Sequence, residues 1–358
     1  MPVKLTISGY YGYGNCGDEA VLAGMLETLP RVGLDADVTV LSANPELTRA
    51  MHPGVNVARR FGPCSVLRAI VDCDALLSGG GSLLQDVTST RSVLYYLTII
   101  RLALLFRRKT MVYAQGIGPL IRESSRSAVA QVLSRVDAIT VRDPDSLSLL
   151  ESVGVALGNA ECVADPSFLV QPDAEGAGQL LVEAGVVDDF AVVSLRNWPG
   201  SQLAEIGRGI ANALDSIGLQ IVTLPMQTPD DVEACSVVPG GNLITGGGNP
   251  RVAKGIVAQS SLVVGMRLHA LMFAASGGVP FVPLVYDPKV ASFARMMGQH
   301  EGVEVATTTA KAVSESIMQT WERRSERSEA LRAAMPKFEE MALRPGRLLV
   351  NLLGQQAR

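Results

Sequence analysis

Arg267, His269 and Lys289 stand in an otherwise apolar stretch, MRLHALMFAASGGVPFVPLVYDPKV, residues 266–290. Each costs free energy if it is buried without a partner, so the placement needs a physical reason. Arg267 and His269 are two residues apart, where a strand ends and a helix begins, and Lys289 follows the next strand. Helix N-termini attract anions. A guanidinium forks onto phosphate or carboxylate, and an imidazole titrates near neutral pH and can donate a proton. The spacing points to an anion site. The alternative is an internal network in which Arg267 pairs with Asp287.

Other polar residues gather in glycine-rich loops. GYYGYGNCGDE (9–19) follows an apolar run and opens a helix. It matches GxGxxG poorly, and no acidic ribose-binding residue stands about 20 residues further on. Its backbone N–H groups could hold a sugar or a phosphate. Asp18 and Glu19 are carboxylates suited to act as a base on a sugar hydroxyl, or else they cap the helix. Cys16 is either a nucleophile or a small residue filling a tight turn. SGGGSLLQDVTS (78–89) supplies Gln85 and Asp86 as hydrogen-bonding groups, or is only a strand-to-helix turn. YAQGIGP (113–119) ends another strand. VRDPDS (141–146) adds Arg142, which a local bridge to Asp143 would also explain. ADPSF (164–168) and SLRNWPG (194–200) add Asp165 and Arg196.

These loops need strands to position them. Apolar runs at 3–10, 36–43, 73–81, 109–119 and 137–143 alternate with helical patterns, and the alternation resumes at 190–198, 220–227, 260–269 and 280–287. Such βαβ order predicts parallel sheets covered on both faces. A polar stretch at 170–179 separates the two series. The expected fold is therefore α/β: two Rossmann-like, doubly wound domains, 1–172 and 173–358, facing a cleft, with ligands at the carboxyl ends of the strands. The charged stretch 311–355 reads as one or two solvent-facing helices of the second domain. A chain of 358 residues with 47% hydrophobic and 18% charged residues is globular and long enough for two cores. A net charge of −4 argues against a general nucleic-acid binder. The five cysteines form no CxxC pair, which suits free thiols in a reducing cytosol rather than a zinc site. No signal peptide or spanning segment is expected. The run VLYYLTIIRLALLF (93–106) is shorter than the ~20 apolar residues a spanning helix needs. With Arg107, Arg108 and Lys109 it is either a membrane-surface contact or a buried helix with a basic end.

Taken together and in order, ISGYYGYGNCGDEAVL, SGGGSLLQDVTS, YAQGIGP, ITVRDPDS, SLRNW, MRLHAL and VYDPKV resemble the polysaccharide pyruvyl transferase family, most closely its bacterial CsaB-type branch, over roughly residues 3 to 295. The resemblance implies a glycosyltransferase-B-like (GT-B) fold. It also implies transfer of the enolpyruvyl group of phosphoenolpyruvate to a sugar, giving a 4,6-pyruvate ketal and phosphate. In that branch the acceptor is N-acetylmannosamine of a lipid-linked secondary cell-wall polymer precursor, and the ketal serves surface-layer anchoring. The family's Arg-Leu-His motif lies at the phosphoenolpyruvate site, which implies Arg267, Leu268 and His269 there. Lys289 stands at the basic position of YDPK, and Arg142 matches the family arginine after the fifth strand. Arg142 or Arg196 completes the donor shell. His269 is the candidate acid, and Asp18 or Glu19 the candidate base. The acceptor is expected at Tyr11, Gly12, Asn15, Gly80, Gly81, Gln85 and Asp86. No metal and no cofactor beyond the donor substrate is expected. The expected location is cytoplasmic, with possible contact at the inner face of the membrane. A nucleotide-sugar glycosyltransferase of the same fold and a non-catalytic sugar- or anion-binding module are the rival readings.

Overall fold

A computed structural model describes residues 1–87, 90–299 and 302–354. The chain forms two units. The first comprises Met1–Tyr13, Asp18–Leu169 and Phe338–Arg358; the second comprises Gly14–Gly17 and Val170–Lys337. The expected division after residue 172 falls close to the change at 169/170. The C-terminal assignment needs correction, because the described residues from Phe338 to Gly354 pack in the first unit rather than the second.

The first unit holds a seven-stranded sheet: β1 (Val3–Tyr11), β2 (Ala36–Ser42), β3 (Asn56–Arg59), β4 (Ala75–Gly79), β5 (Lys109–Gln115), β6 (Ala138–Val141) and β7 (Ala160–Cys162), in the order β3-β2-β1-β4-β5-β6-β7. The described pairings are parallel. Strands buried on both faces read as continuous apolar runs, and β4 (ALLSG) is buried along its whole length. Helices cover both faces. The apolar run 93–106 forms most of the Thr90–Leu105 helix. Val93, Tyr96, Leu97, Ile99, Ile100 and Ala103 on that helix are buried in the core. These six side chains are thus used internally, while Leu94, Leu105 and Phe106 of the same run stay exposed. Arg108 donates to the Val71 carbonyl, and Lys109 pairs with Asp137 at 3.3 Å. Among the described residues no helix is long and apolar enough to cross a membrane.

The C-terminal Arg324–Leu352 helix contributes Leu349 and Val350 to the first unit's core. Gly346 lies on Thr28 of the Cys16–Arg31 helix, where an added Cβ would meet Thr28 Cγ2 at 2.3 Å. The solvent-facing helix expected here therefore has a buried side.

The second unit holds a six-stranded sheet of β8 (Phe190–Ser194), β9 (Gln220–Thr223), β10 (Gly241–Leu243), β11 (Leu262–Gly265), β12 (Phe281–Val285) and β13 (Val303–Glu304), in the order β10-β9-β8-β11-β12-β13. In both sheets the chain winds outward one way and then the other. The reversals fall between β1 and β4 and between β8 and β11. In open α/β sheets such switch points are where ligands bind, beyond the carboxyl ends of the strands.

Candidate functional site

In the first unit the loop after β1 is fixed from beneath. Gly12 has φ +81°, a left-handed conformation that glycine tolerates. Its N–H donates to Glu19 Oε1 at 2.8 Å, and Glu19 Oε2 meets His52 Nε2 at 2.9 Å, with both side chains buried. The expectation that Glu19 offers a carboxylate as base is corrected: both oxygens are committed inside the fold. Asp18 is half-buried and lies over the loop after β4, so a Cβ on Gly81 (φ +57°) would sit 2.1 Å from its Oδ1. Asp18, Gly80 and Gly81 therefore come together at the switch point.

Several expected acceptor residues are structural. Tyr11 is wholly buried, and its hydroxyl donates to the Gly79 carbonyl at 3.1 Å; burial, then Asp18 and Glu19, push that hydroxyl well up. Asp86 accepts from the backbone N–H groups of Ile121 (2.7 Å) and Arg122 (2.9 Å), which staples two loops. Gln85 accepts from the Val87 N–H at 3.0 Å. Thr88 and Ser89, the end of the same motif, lie outside the described residues. Cys16 is fully buried.

Arg142 is 7% exposed. It donates to Asp165 Oδ2 at 2.7 Å and to Ser82 Oγ at 3.2 Å. Burial works against its charge, and Asp165, followed by Asp143 and Asp18, more than offsets that. Glycine at 116 leaves room for this guanidinium, since a Cβ there would lie 3.0 Å from Arg142 Nε. Arg142 thus belongs to a buried network of the first unit, and its partner is Asp165 rather than the neighbouring Asp143.

The second unit brings together the ends of β8, β11 and β12, which are adjacent strands. Arg267 stands at the N-cap position of the Leu268–Gly277 helix, its side chain making no cap hydrogen bond. It makes a bidentate pair with Asp231, Nε to Oδ2 at 2.8 Å and Nη2 to Oδ1 at 2.5 Å, and Nη2 also reaches Gln227 Oε1 at 3.2 Å. Arg267 is therefore not held open for an anion along its fork, and its acid is Asp231 rather than Asp287. Leu268 is buried, so only the outer two residues of the Arg-Leu-His triplet are placed for polar contact. His269, in the helix's first turn, packs on the backbone of Gly17; a Cβ at 17 would meet Nδ1 at 2.2 Å. Asn15 pairs with Gln227 across an antiparallel bridge, and Cys16 N–H donates to the Met226 carbonyl at 2.8 Å. Asn15 thus belongs with the second unit's residues. Asp287 N-caps the Pro288–Met296 helix, and Lys289 Nζ lies 3.5 Å from its Oδ2 while remaining 37% exposed along its side chain.

Arg196 differs from these two cations. It lies between Trp198 and Tyr286, with ring centroids at 5.3 and 5.2 Å, and donates to the Tyr286 hydroxyl at 3.2 Å. Its buried Nε has no partner, and among the described residues no carboxylate pairs with it. The Ser194 hydroxyl at the end of β8, opposite Gly265, is also buried without a partner. Asp231, Gln227 and Tyr286 escape sequence reasoning, because nothing in their spacing connects them to Arg267 or Arg196. The one usable signal was the aromatic pair flanking a lone arginine, in SLRNW and VYD. Among the described residues no group of three or more His, Cys, Asp or Glu side chains is placed to hold a metal ion.

Comparison with known proteins bears on the family and the fold. The amylovoran biosynthesis protein AmsJ of Erwinia amylovora is 22% identical over 365 residues, covering 84% of this chain and 87% of that protein. A putative UDP-N-acetylglucosamine 2-epimerase from Listeria monocytogenes superposes with a TM-score of 0.67 at 11% identity, covering 100% and 98% of the two chains. The UDP-GlcNAc 2-epimerase of Neisseria meningitidis bound to UDP-GlcNAc gives 0.64 at 14% identity, covering 99% of each. At these identities the solved structures speak for the fold alone, which is GT-B-like. The family model for polysaccharide pyruvyl transferase matches residues 15–288, a span that runs from the loop after β1 to the start of the Pro288–Met296 helix. This chain is an enzyme that belongs to the polysaccharide pyruvyl transferase family.

Proposed function

We propose that the enzyme takes its pyruvyl group from phosphoenolpyruvate, bound at the carboxyl edge of the second sheet by Arg196, Lys289 and His269. The observation that carries this reading is Arg196, a cation with a buried, unpartnered Nε beside the switch point. A small molecule bearing a phosphate and a carboxylate supplies the negative charge that the surroundings of Arg196 lack. Asp231 orients Arg267, which adds a fixed dipolar wall rather than a free fork. Arg142 is omitted from the donor shell because its terminal nitrogens are engaged in the first unit.

In the reaction, His269 gives a proton to the methylene carbon of phosphoenolpyruvate, leaving C2 cation-like. One sugar hydroxyl adds to C2 and loses its proton to a base. The C2–O bond to phosphate breaks and phosphate leaves; a second hydroxyl of the same sugar then adds to C2, gives its proton back to His269 and closes the ketal. Asp18 is the remaining candidate base. The amylovoran relative supports a polysaccharide acceptor in general terms. The CsaB-type motifs make N-acetylmannosamine of a lipid-linked cell-wall polymer precursor the first acceptor to try.

The test is phosphate release from phosphoenolpyruvate with and without that acceptor. Release should depend on the acceptor. Arg196→Met should weaken donor binding by about 10- to 100-fold, the worth of one lost charge-assisted contact. His269→Ala should lower turnover by about 10²–10⁴. Acceptor-dependent release that is unaltered in both variants would remove this donor site.

A further inference from the structure

Arg60 follows β3 in a position that no motif marks. It is 6% exposed, and no carboxylate pairs with it among the described residues; burial works against its charge, and Tyr96, Tyr95 and Tyr13 favour it. Nη1 donates to the Gly9 carbonyl and Nη2 to the Tyr96 hydroxyl, both at 3.2 Å, and the buried Nε has no partner. Four rings surround the guanidinium: Tyr95 at 4.5 Å, Phe61 at 5.1 Å, and Tyr13 and Tyr96 at 5.4 Å. Tyr10 stacks on Tyr13 at 4.1 Å and 9°. Phe61 is 70% exposed, and Tyr10, Tyr13 and Tyr95 are half-buried.

Desolvating a cation is costly. Cation–π contacts offset part of that cost, but no charge within the cage neutralises Arg60. The cage therefore presents flat apolar ring surface to solvent while projecting positive potential through it, and low-dielectric surroundings weaken the screening. It lies beyond the carboxyl ends of β1 and β3, the edge of the first sheet where ligands gather.

We propose that Arg60 and its rings form a subsite for a pyranose that carries a negative charge, a carboxylate or a phosphate. The C–H face of the sugar, slightly positive, lies on the electron-rich face of the exposed Phe61 ring, and the anionic substituent is drawn by Arg60. Arg60 is a positioning residue: it holds the rings in one arrangement and supplies the field. The role as an acceptor subsite rests on the pyruvyl-transfer reading above; the binding itself does not.

Saturation-transfer NMR with methyl glucuronide, glucose 1-phosphate and methyl glucoside tests it. Both anionic sugars should receive saturation at their ring protons and bind about tenfold more tightly than the glucoside at low salt, a difference of about 1.4 kcal/mol that high salt removes. Phe61→Ala, at an exposed position, should abolish the signal for all three. Arg60→Met, checked for folding by circular dichroism, should erase the anionic preference. Phosphoenolpyruvate affinity, measured separately by calorimetry, should be unchanged in Phe61→Ala, so a failed donor site and a failed sugar subsite are read apart. The proposal is overturned if no ring proton saturates, if the glucoside binds as well as the anions, if Phe61→Ala binds like the parent, or if inorganic phosphate alone displaces glucose 1-phosphate at equal concentration. A fall in molecular mass of Phe61→Ala by light scattering would mark the patch as a subunit interface and overturn it as well.

Discussion

Asp86 shows how a side chain suited to a sugar can be spent on the backbone. Burial alone would raise its carboxyl, but the N–H groups of Ile121 and Arg122 hold it below the usual carboxylate range. A folded-state value below the unfolded one contributes stability that is present above about pH 4 and is lost as the pH falls through the folded value. Asp86→Asn should therefore cost about 1–3 kcal/mol at pH 7, and the difference from the parent should narrow at pH 3. Denaturant unfolding at the two pH values checks this; an equal gap at both would mean that the charge is not its source. The same lesson holds across the site. The chemistry-bearing types were legible, because an arginine, a histidine and a lysine in an apolar stretch are conspicuous. Their partners were not. Asp231 lies 36 positions before Arg267 and meets it only because β9 and β11 flank β8. Glu19 reads as a loop carboxylate until His52 is brought against it.

At the scale of elements, the legible strands were the interior ones. The runs at 3–10, 36–43, 73–81, 109–119, 137–143, 190–198, 220–227, 260–269 and 280–287 contain every interior strand of both sheets. The four strands that sequence reading missed, β3, β7, β10 and β13, are the four sheet edges. An edge strand is half-covered, so it carries no unbroken apolar run: β3 reads exposed–intermediate–intermediate–exposed. Arg60 was invisible for the same reason, since it follows one of these edges. The helices carry a further constraint at Gly346. Alanine there would gain about 1 kcal/mol of helix propensity, but the added carbon would overlap Thr28 Cγ2, and overpacking of this kind costs about 1–3 kcal/mol. Gly346→Ala should therefore lower the melting temperature. Thr28→Ser, which deletes Cγ2 and keeps the hydroxyl that donates to the Gly24 carbonyl, should restore it in the double variant. A single substitution that stabilises the protein would refute the close packing.

For the whole molecule, the decisive feature is how the chain is apportioned between two cores. Phe338, Leu349 and Val350 are buried in the first unit. At about 1.5–3 kcal/mol for each such side chain, they contribute an amount comparable with the entire stability of a typical domain, about 5–15 kcal/mol. A chain ending at Lys337 should lose the cooperative unfolding of the first unit and expose it to protease, while residues 170–337 stay resistant. Calorimetry with limited proteolysis reads both, and a first unit that melts as in the parent would show the C-terminal segment to be dispensable.

Neither core corresponds to one uninterrupted span of the gene. Residues 14–17 belong with the second unit although they are encoded inside the first, and the missing side chain of Gly17 is what leaves room for the His269 imidazole. A chimera joined at the boundary near residue 170, taking its front half from one relative and its rear half from another, would therefore inherit a histidine backed by a foreign loop. Exchanging sugar specificity between relatives by recombination calls for four crossovers, the first two of them on either side of a four-residue turn.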